Sequence, residues 1–286
     1  MQGLFVVLIC LLATFSAGMK PALKAFNQKS ALKVISGLQN FDVNNVRDVC
    51  WAASNGGATH VDIACDPALV RAAKEVCSLP ICVSSVVPEE FRGAITAGAD
   101  MLELGNFDSF YEKGISFSAE DVLRMTHETR ALFPDMPLSV TVPHTLGLPE
   151  AIDLAQKLEK AGADIIQTEG KVGARTKGTQ DIQESVEIAA PTLAAAYALS
   201  KAVEIPVMCA SGLNDITVPM AMAAGASGVG IGSMINKLGS RQQMLLAVSA
   251  IVGSMGRKEQ QSESRHPPVN MDSINETPVV QQSFQN

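Results

Sequence analysis

The chain has 286 residues, 47% of them hydrophobic and 18% charged, enough to bury a large core as one domain or two smaller ones. Its net charge of −7, with no cluster of Lys and Arg, excludes a nucleic-acid surface, which needs basic residues gathered on one face. The six cysteines lack the paired close spacing of a zinc motif, and a disulfide framework is unusual in a chain this long. Five read as small buried hydrophobes, and Cys65, at an expected strand end, is the one expected to be reactive.

Residues 1–18 carry no charge, and residues 4–13 form a nearly unbroken apolar run. Such a run is too short to span a bilayer, which takes about 20 apolar residues. It reads as a secretory-type leader with small residues Ser16 and Gly18 before Met19, although no positive charge precedes it. Residues 1–30 are therefore expected to be a leader or targeting segment, with no stable membrane span once it is removed.

From Ala31 one theme repeats: a short apolar run, a turn, then an amphipathic helix ending in glycine. Strands are expected at residues 32–36, 59–64, 81–86, 101–104, 138–142 and 165–168, then at 207–210 and 228–233. Asp42, the Asp66-Pro67 pair, Pro88 and Ser118 open the intervening helices, as N-cap and first-turn residues do. AGADMLELG, AGADIIQTEG and AGASGVGIG echo one another, each delivering a helix end into a strand. Eight strands alternating with helices predict a single-domain (β/α)8 TIM barrel of the phosphate-binding kind over residues 31–256, with a doubly wound open sheet as the alternative. Residues 257–286 turn polar and proline-bearing without apolar period, which predicts a disordered tail.

Alternation along each strand sends one set of side chains to the helices and the other to the barrel interior. By that parity Lys33, Ile35, His60, Asp62, Ser84, Glu103, Thr141, Gln167, Glu169 and Ser211 face inward. Such a polar interior must neutralise itself, meet water or meet a ligand, because buried unpaired charges cost several kcal/mol each. Lys33 is expected as an electrostatic clamp or a low-pKa amine, with Asp62, Glu103 or Glu169 moving protons; a purely architectural ion-pair network is the competing reading. Lys171, with Arg175 and Lys177 in the glycine-bearing loop after the sixth strand, is placed to close on an anionic substrate, and His144 is a candidate proton carrier. At the ends of the last two strands, Ser211-Gly212 and Gly232-Ser233 form an expected phosphate cup, where backbone N–H groups can approach one oxyanion.

The stretches KVISGLQNFD (33–42), VDIACDPALV (61–70), AGADMLELGNFDSFYEKG (97–114) and QTEGK (167–171) resemble the family of hypothetical chloroplast reading frame twenty-three, over residues 31–255. The resemblance implies a plastid location and a phosphate-binding TIM barrel, and brings no established activity or catalytic residue with it. A weaker likeness joins residues 161–178 and 206–235 to flavin-mononucleotide barrels of the nitronate monooxygenase type, with their glycine pair reduced here to Ser211-Gly212-Leu213. The expected function is a metal-independent lyase, isomerase or synthase acting on a small phosphorylated metabolite. The alternatives are an FMN-dependent oxidoreductase and a non-catalytic sensor or scaffold, and the chain is a candidate homo-oligomer.

Overall fold

The computed structural model describes residues 21–111, 113–170 and 181–263. Residues 1–20 of the expected leader, Lys171, Arg175, Lys177 and residues 264–286 of the expected tail lie outside the described residues. Residues 21–30, by contrast, carry a short helix, Lys24–Asn27, with Phe26 buried, and residues 257–263 are helical, so regular structure begins earlier and ends later than the sequence suggested. Eight strands carry the fold: β1 (Ala31–Gly37), β2 (His60–Ala64), β3 (Ile81–Ser85), β4 (Met101–Leu104), β5 (Leu138–Val142), β6 (Ile165–Thr168), β7 (Val207–Ala210) and β8 (Gly228–Ile231). Each pairs parallel with the next, and β8 returns to β1 through Val229↔Leu32 and Ile231↔Val34, closing the barrel. That last pairing replaces the open sheet with a (β/α)8 barrel.

The helices are α1 (Lys24–Asn27), α2 (Val43–Gly56), α3 (Pro67–Val76), α4 (Phe91–Thr96), α5 (Asp108–Tyr111), α6 (Ala119–Leu132) and α7 (Leu148–Lys160). They continue with α8 (Ile182–Ala202), α9 (Val218–Ala223), α10 (Ser233–Asn236) and α11 (Arg241–Glu263). The caps follow from local chemistry. The Asp42 carboxylate accepts from the backbone N–H groups of Asn44 and Asn45 at 2.9 and 3.2 Å, and Ser118 forms a reciprocal box with Asp121. Asp181 caps α8 by accepting from Glu184 N at 2.8 Å, so this helix begins inside the stretch that reads from sequence as a long loop. Among the described residues, the unit that holds the barrel ends at Met255. No helix among the described residues is long and apolar enough to cross a membrane.

Outward-facing strand residues such as Leu32, Val34, Val61, Ile63, Leu102 and Val140 pack with helix residues into the main core. A second, smaller cluster of Phe26, Ala31, Cys82, Met101, Ile165 and Met208 fills one end of the interior. It gathers residues from the starts of the strands, and α1 closes it from below: Phe26 is 1% exposed and its ring lies 5.1 Å from that of His60. The polar interior therefore sits above an apolar plug, toward the carboxyl ends of the strands.

Candidate active site

Directly above the plug is a charged layer. The Lys33 ammonium donates to Glu103, and both side chains are essentially inaccessible. Gln167 Nε2 donates to Glu103 Oε1 at 2.6 Å and to Thr141 Oγ1 at 3.1 Å, while Asn106 Nδ2 reaches Asp62 Oδ2 at 3.1 Å and Ser84 donates to Asp62 Oδ1. Burial pulls the Lys33 ammonium down, but Glu103 and then Asp62 outweigh it, and the net shift is upward. The low-pKa amine allowed by the sequence is thus replaced by a charged lysine held in an ion pair. Burial, opposed by Lys33 and reinforced by Glu103, pushes the Asp62 carboxyl up to about 7. Lys33, Asp62 and Glu103 do not line the cavity above them; strand parity gives their face correctly but not their depth.

That cavity, about 530 Å³, opens at the carboxyl ends of the strands and brings together Thr141, Gln167, Glu169, Ser211, Gly212, Gly232 and Ser233. Its depth on the β8 side comes from inward-facing glycine: a Cβ on Gly230 would lie 2.9 Å from Ala210 Cβ and 3.0 Å from Ile35 Cδ1. Ser211 and Gly212 both adopt left-handed backbone, φ 81° and 70°, which turns the chain sharply as β7 ends. Gly232 precedes α10 without left-handed strain, at φ −117°. Asn236 and Lys237, which sequence reasoning missed, complete this side. Asn236 Nδ2 donates to the carbonyls of Ile35 and Ser36 at 2.7 and 3.0 Å, where the β1 register is irregular.

Glu169 follows β6 across the cavity. Its Oε2 accepts from Tyr111 OH at 2.8 Å, from the His144 backbone N–H at 3.1 Å and from His144 Nδ1 at 3.0 Å. His144 stacks edge-on against Tyr111 at 4.9 Å, and its Nδ1 lies 4.0 Å from Asp108 Oδ1. Burial, then the neighbouring Glu169 carboxylate, push the Tyr111 phenol above its usual range. Asp108, His144 and Glu169 each offer a donor atom within 4.8 Å of the others, from the segments that follow three successive strands. Three buried acceptor oxygens have no hydrogen-bond partner among the described residues and belong to cavity-lining side chains: Gln167 Oε1, Glu169 Oε1 and Asn236 Oδ1. The amide orientations are fixed, because the paired nitrogens face a carboxylate, a hydroxyl or backbone carbonyls. Cys65 is not the reactive thiol the sequence suggested: burial, then Glu90, push it up to about 12.

The family model described as a protein of unknown function, DUF561, matches residues 19–261. A ycf23 protein of Cyanophora paradoxa is 44% identical over 225 residues, spanning 78% of this chain and 92% of the relative. One from Antithamnion sp. is 38% identical over 242 residues, 82% of this chain and 87% of the relative. The chain belongs to the Ycf23 family. The family's barrel is shared with solved structures of low sequence identity. (S)-3-O-geranylgeranylglyceryl phosphate synthase from Thermoplasma acidophilum, solved with its substrate sn-glycerol-1-phosphate, superposes with a TM-score of 0.58 at 12% identity, spanning 82% of this chain and 97% of that one. Thiamine phosphate pyrophosphorylase from Pyrococcus furiosus gives 0.51 at 19% identity, over 80% of this chain and 96% of that one. 3-Hexulose-6-phosphate synthase gives 0.55 at 14%, over 78% of this chain and 99% of that one. These likenesses show the fold. Two of the motif stretches of the Ycf23 resemblance, 97–114 and 167–171, meet at this end of the barrel, supplying Asn106, Asp108, Tyr111, Gln167 and Glu169.

Proposed function

We propose that this chain binds a small phosphorylated metabolite carrying hydroxyl groups, and acts on it as a lyase, isomerase or synthase. The observation that carries the reading is the meeting, in one cavity, of the Ser211-Gly212 and Gly232-Ser233 turns with Lys237. Backbone N–H groups from two turns and one exposed ammonium suit a phosphate, and the last two strands are where such barrels often hold one. Gln167 Oε1 and Asn236 Oδ1, buried without donors among the described residues, call for hydroxyls on the rest of the ligand. Glu169, braced by Tyr111 and His144, faces the end of the ligand to be transformed. Lys33, Asp62 and Glu103 support the floor, and Lys171 stays a candidate for closing over the anion.

The relatives support the ligand class: the solved barrels named above include enzymes whose names carry a phosphate ester. A plastid location is part of the proposal and rests on the family resemblance and on the ycf23 relatives.

The test is a thermal-shift titration of the full chain with sn-glycerol-1-phosphate, ribose 5-phosphate and inorganic phosphate, beside an absorbance scan. Saturable stabilisation is expected, with the affinity falling at least tenfold, about 1.4 kcal/mol, in Lys237→Met while the ligand-free melt stays put. No phosphate-dependent shift, or full affinity in Lys237→Met, would sink the reading. A bound flavin would turn the same cup toward FMN chemistry, and binding without turnover of any substrate would favour a sensor.

A further inference from the structure

We infer that the rim of the cavity holds a divalent transition-metal site made by Asp108, His144 and Glu169. Their donor atoms, one carboxylate oxygen from each acid and one imidazole nitrogen, lie within 4.8 Å of one another, a spread that a single ion can bridge after small side-chain rotations. The cluster is held in place by its surroundings. Asp108 begins α5, His144 follows β5 and Glu169 follows β6, so three neighbouring strand ends of a rigid barrel fix the ligands.

A second observation points to a cation independently of the clustering. Glu169 is 6% exposed, and its described partners are a phenol hydroxyl, a backbone N–H and an imidazole, all on Oε2. None of these brings a fixed positive charge, and Oε1, buried in the cavity wall, has no partner among the described residues. A carboxylate withdrawn from water on those terms is costly unless a cation meets it. The histidine decides which cation. With its proton moved to Nε2, the Nδ1 lone pair of His144 becomes a ligand, and one nitrogen with two carboxylates suits Mn²⁺, Co²⁺ or Zn²⁺ better than an all-oxygen site for Mg²⁺ or Ca²⁺. Three protein ligands leave positions open to water or to a ligand oxygen, the arrangement of a catalytic rather than a structural metal.

The site lies on the β4–β6 arc of the mouth, while the Ser211-Gly212 and Gly232-Ser233 turns lie on the β7–β8 arc. An ion there would polarise an oxygen at the end of the ligand away from the β7–β8 turns. The site itself stands on the rim geometry and does not require the cavity to take a phosphate.

The experiment is titration of the full-length, chelator-treated protein with MnCl2, followed by loss of the free-ion paramagnetic resonance signal, and with CoCl2, followed by visible absorption, both without any phosphorylated compound. One equivalent should bind with micromolar affinity, and Co²⁺ should give bands of a nitrogen- and oxygen-ligated ion. His144→Ala should remove those bands, and Glu169→Gln, which keeps the shape of the side chain, should weaken binding at least a hundredfold. Far-ultraviolet dichroism and melting of each variant confirm folding, and Asp135→Asn, an acidic change elsewhere, should bind as the parent does. Absence of saturable binding below millimolar metal, or binding that survives both ligand substitutions in folded protein, overturns the assignment. Because no phosphate is present, either result leaves the phosphate reading to its own test.

Discussion

At the scale of residues, the charged layer under the cavity gives this protein an acid response of a distinctive form. Asp62 has its carboxyl raised from 3.8 to about 7, so between those values the folded protein keeps a proton that the unfolded chain has released, and stability falls as pH rises. His60 has the opposite sign. Burial, then Lys33, lower its ring from 6.5 to about 3, so stability falls as pH drops through that window. Each contributes a slope of about 1.4 kcal/mol per pH unit, and where the windows overlap the slopes cancel. Both groups are fully buried and face Lys33, while Glu103 and Cys82 stand beside Asp62. The contributions of these two groups should therefore oppose one another between about pH 4 and 6.5. Asp62→Asn should unmask His60 and lose stability as the solution is acidified across that interval, and His60→Gln should gain it. Thermal melts of both variants check this, and parallel profiles would contradict the two values.

At the scale of elements, β8 determines how much room the site has. Its inward positions are glycine, and a methyl at Gly230 would press on Ala210, Ile35 and the Met208 sulfur at 2.9, 3.0 and 3.5 Å. Gly230→Ala is expected to cost about 1–3 kcal/mol from overpacking and to lower the affinity for a cavity ligand, read by urea melts and by the phosphate-ester titration. An unchanged midpoint and affinity would mean that β8 does not bound the cavity. The same strand shows what the sequence made legible. Alternation and caps located the strands, because Asp42, Ser118 and the apolar runs act within a few residues of themselves. Parity then placed Lys33, Asp62, Glu103, Gln167 and Glu169 inside. Depth along the barrel axis was not legible, because it depends on the stagger between strands, so Lys33, Asp62 and Glu103 read as cavity groups while they lie beneath its lining. Tyr111, Asn236 and Lys237 were missed altogether. They sit on, or just after, short helices that follow strand ends, where no local period says which way a side chain reaches.

At the scale of the whole barrel, the interior is built in tiers: an apolar plug, a layer of compensated charge, then a cavity lined by turns. Closure at the lower end depends on one aromatic residue from a segment that precedes the first strand. Phe26→Ala removes a ring that is 1% exposed and packs against His60, and should destabilise the fold by about 3–5 kcal/mol in denaturant melts. Ligand affinity should hold in the same variant, since the plug and the cavity lie at opposite ends of the interior. A loss below about 1 kcal/mol would show that α1 is not the closing element.

In the proposed function, the acceptor oxygens of Gln167 and Asn236, which have no partner among the described residues, would tie the fate of the chain to what it binds. A ligand that supplies their missing partners binds the folded state alone, and at a hundred times its dissociation constant adds about 2.7 kcal/mol to folding. Inside a cell full of proteases, the molecule would then outlast its empty counterpart wherever the proposed ligand is plentiful. Its abundance would become a slow record of supply, written by turnover rather than by transcription.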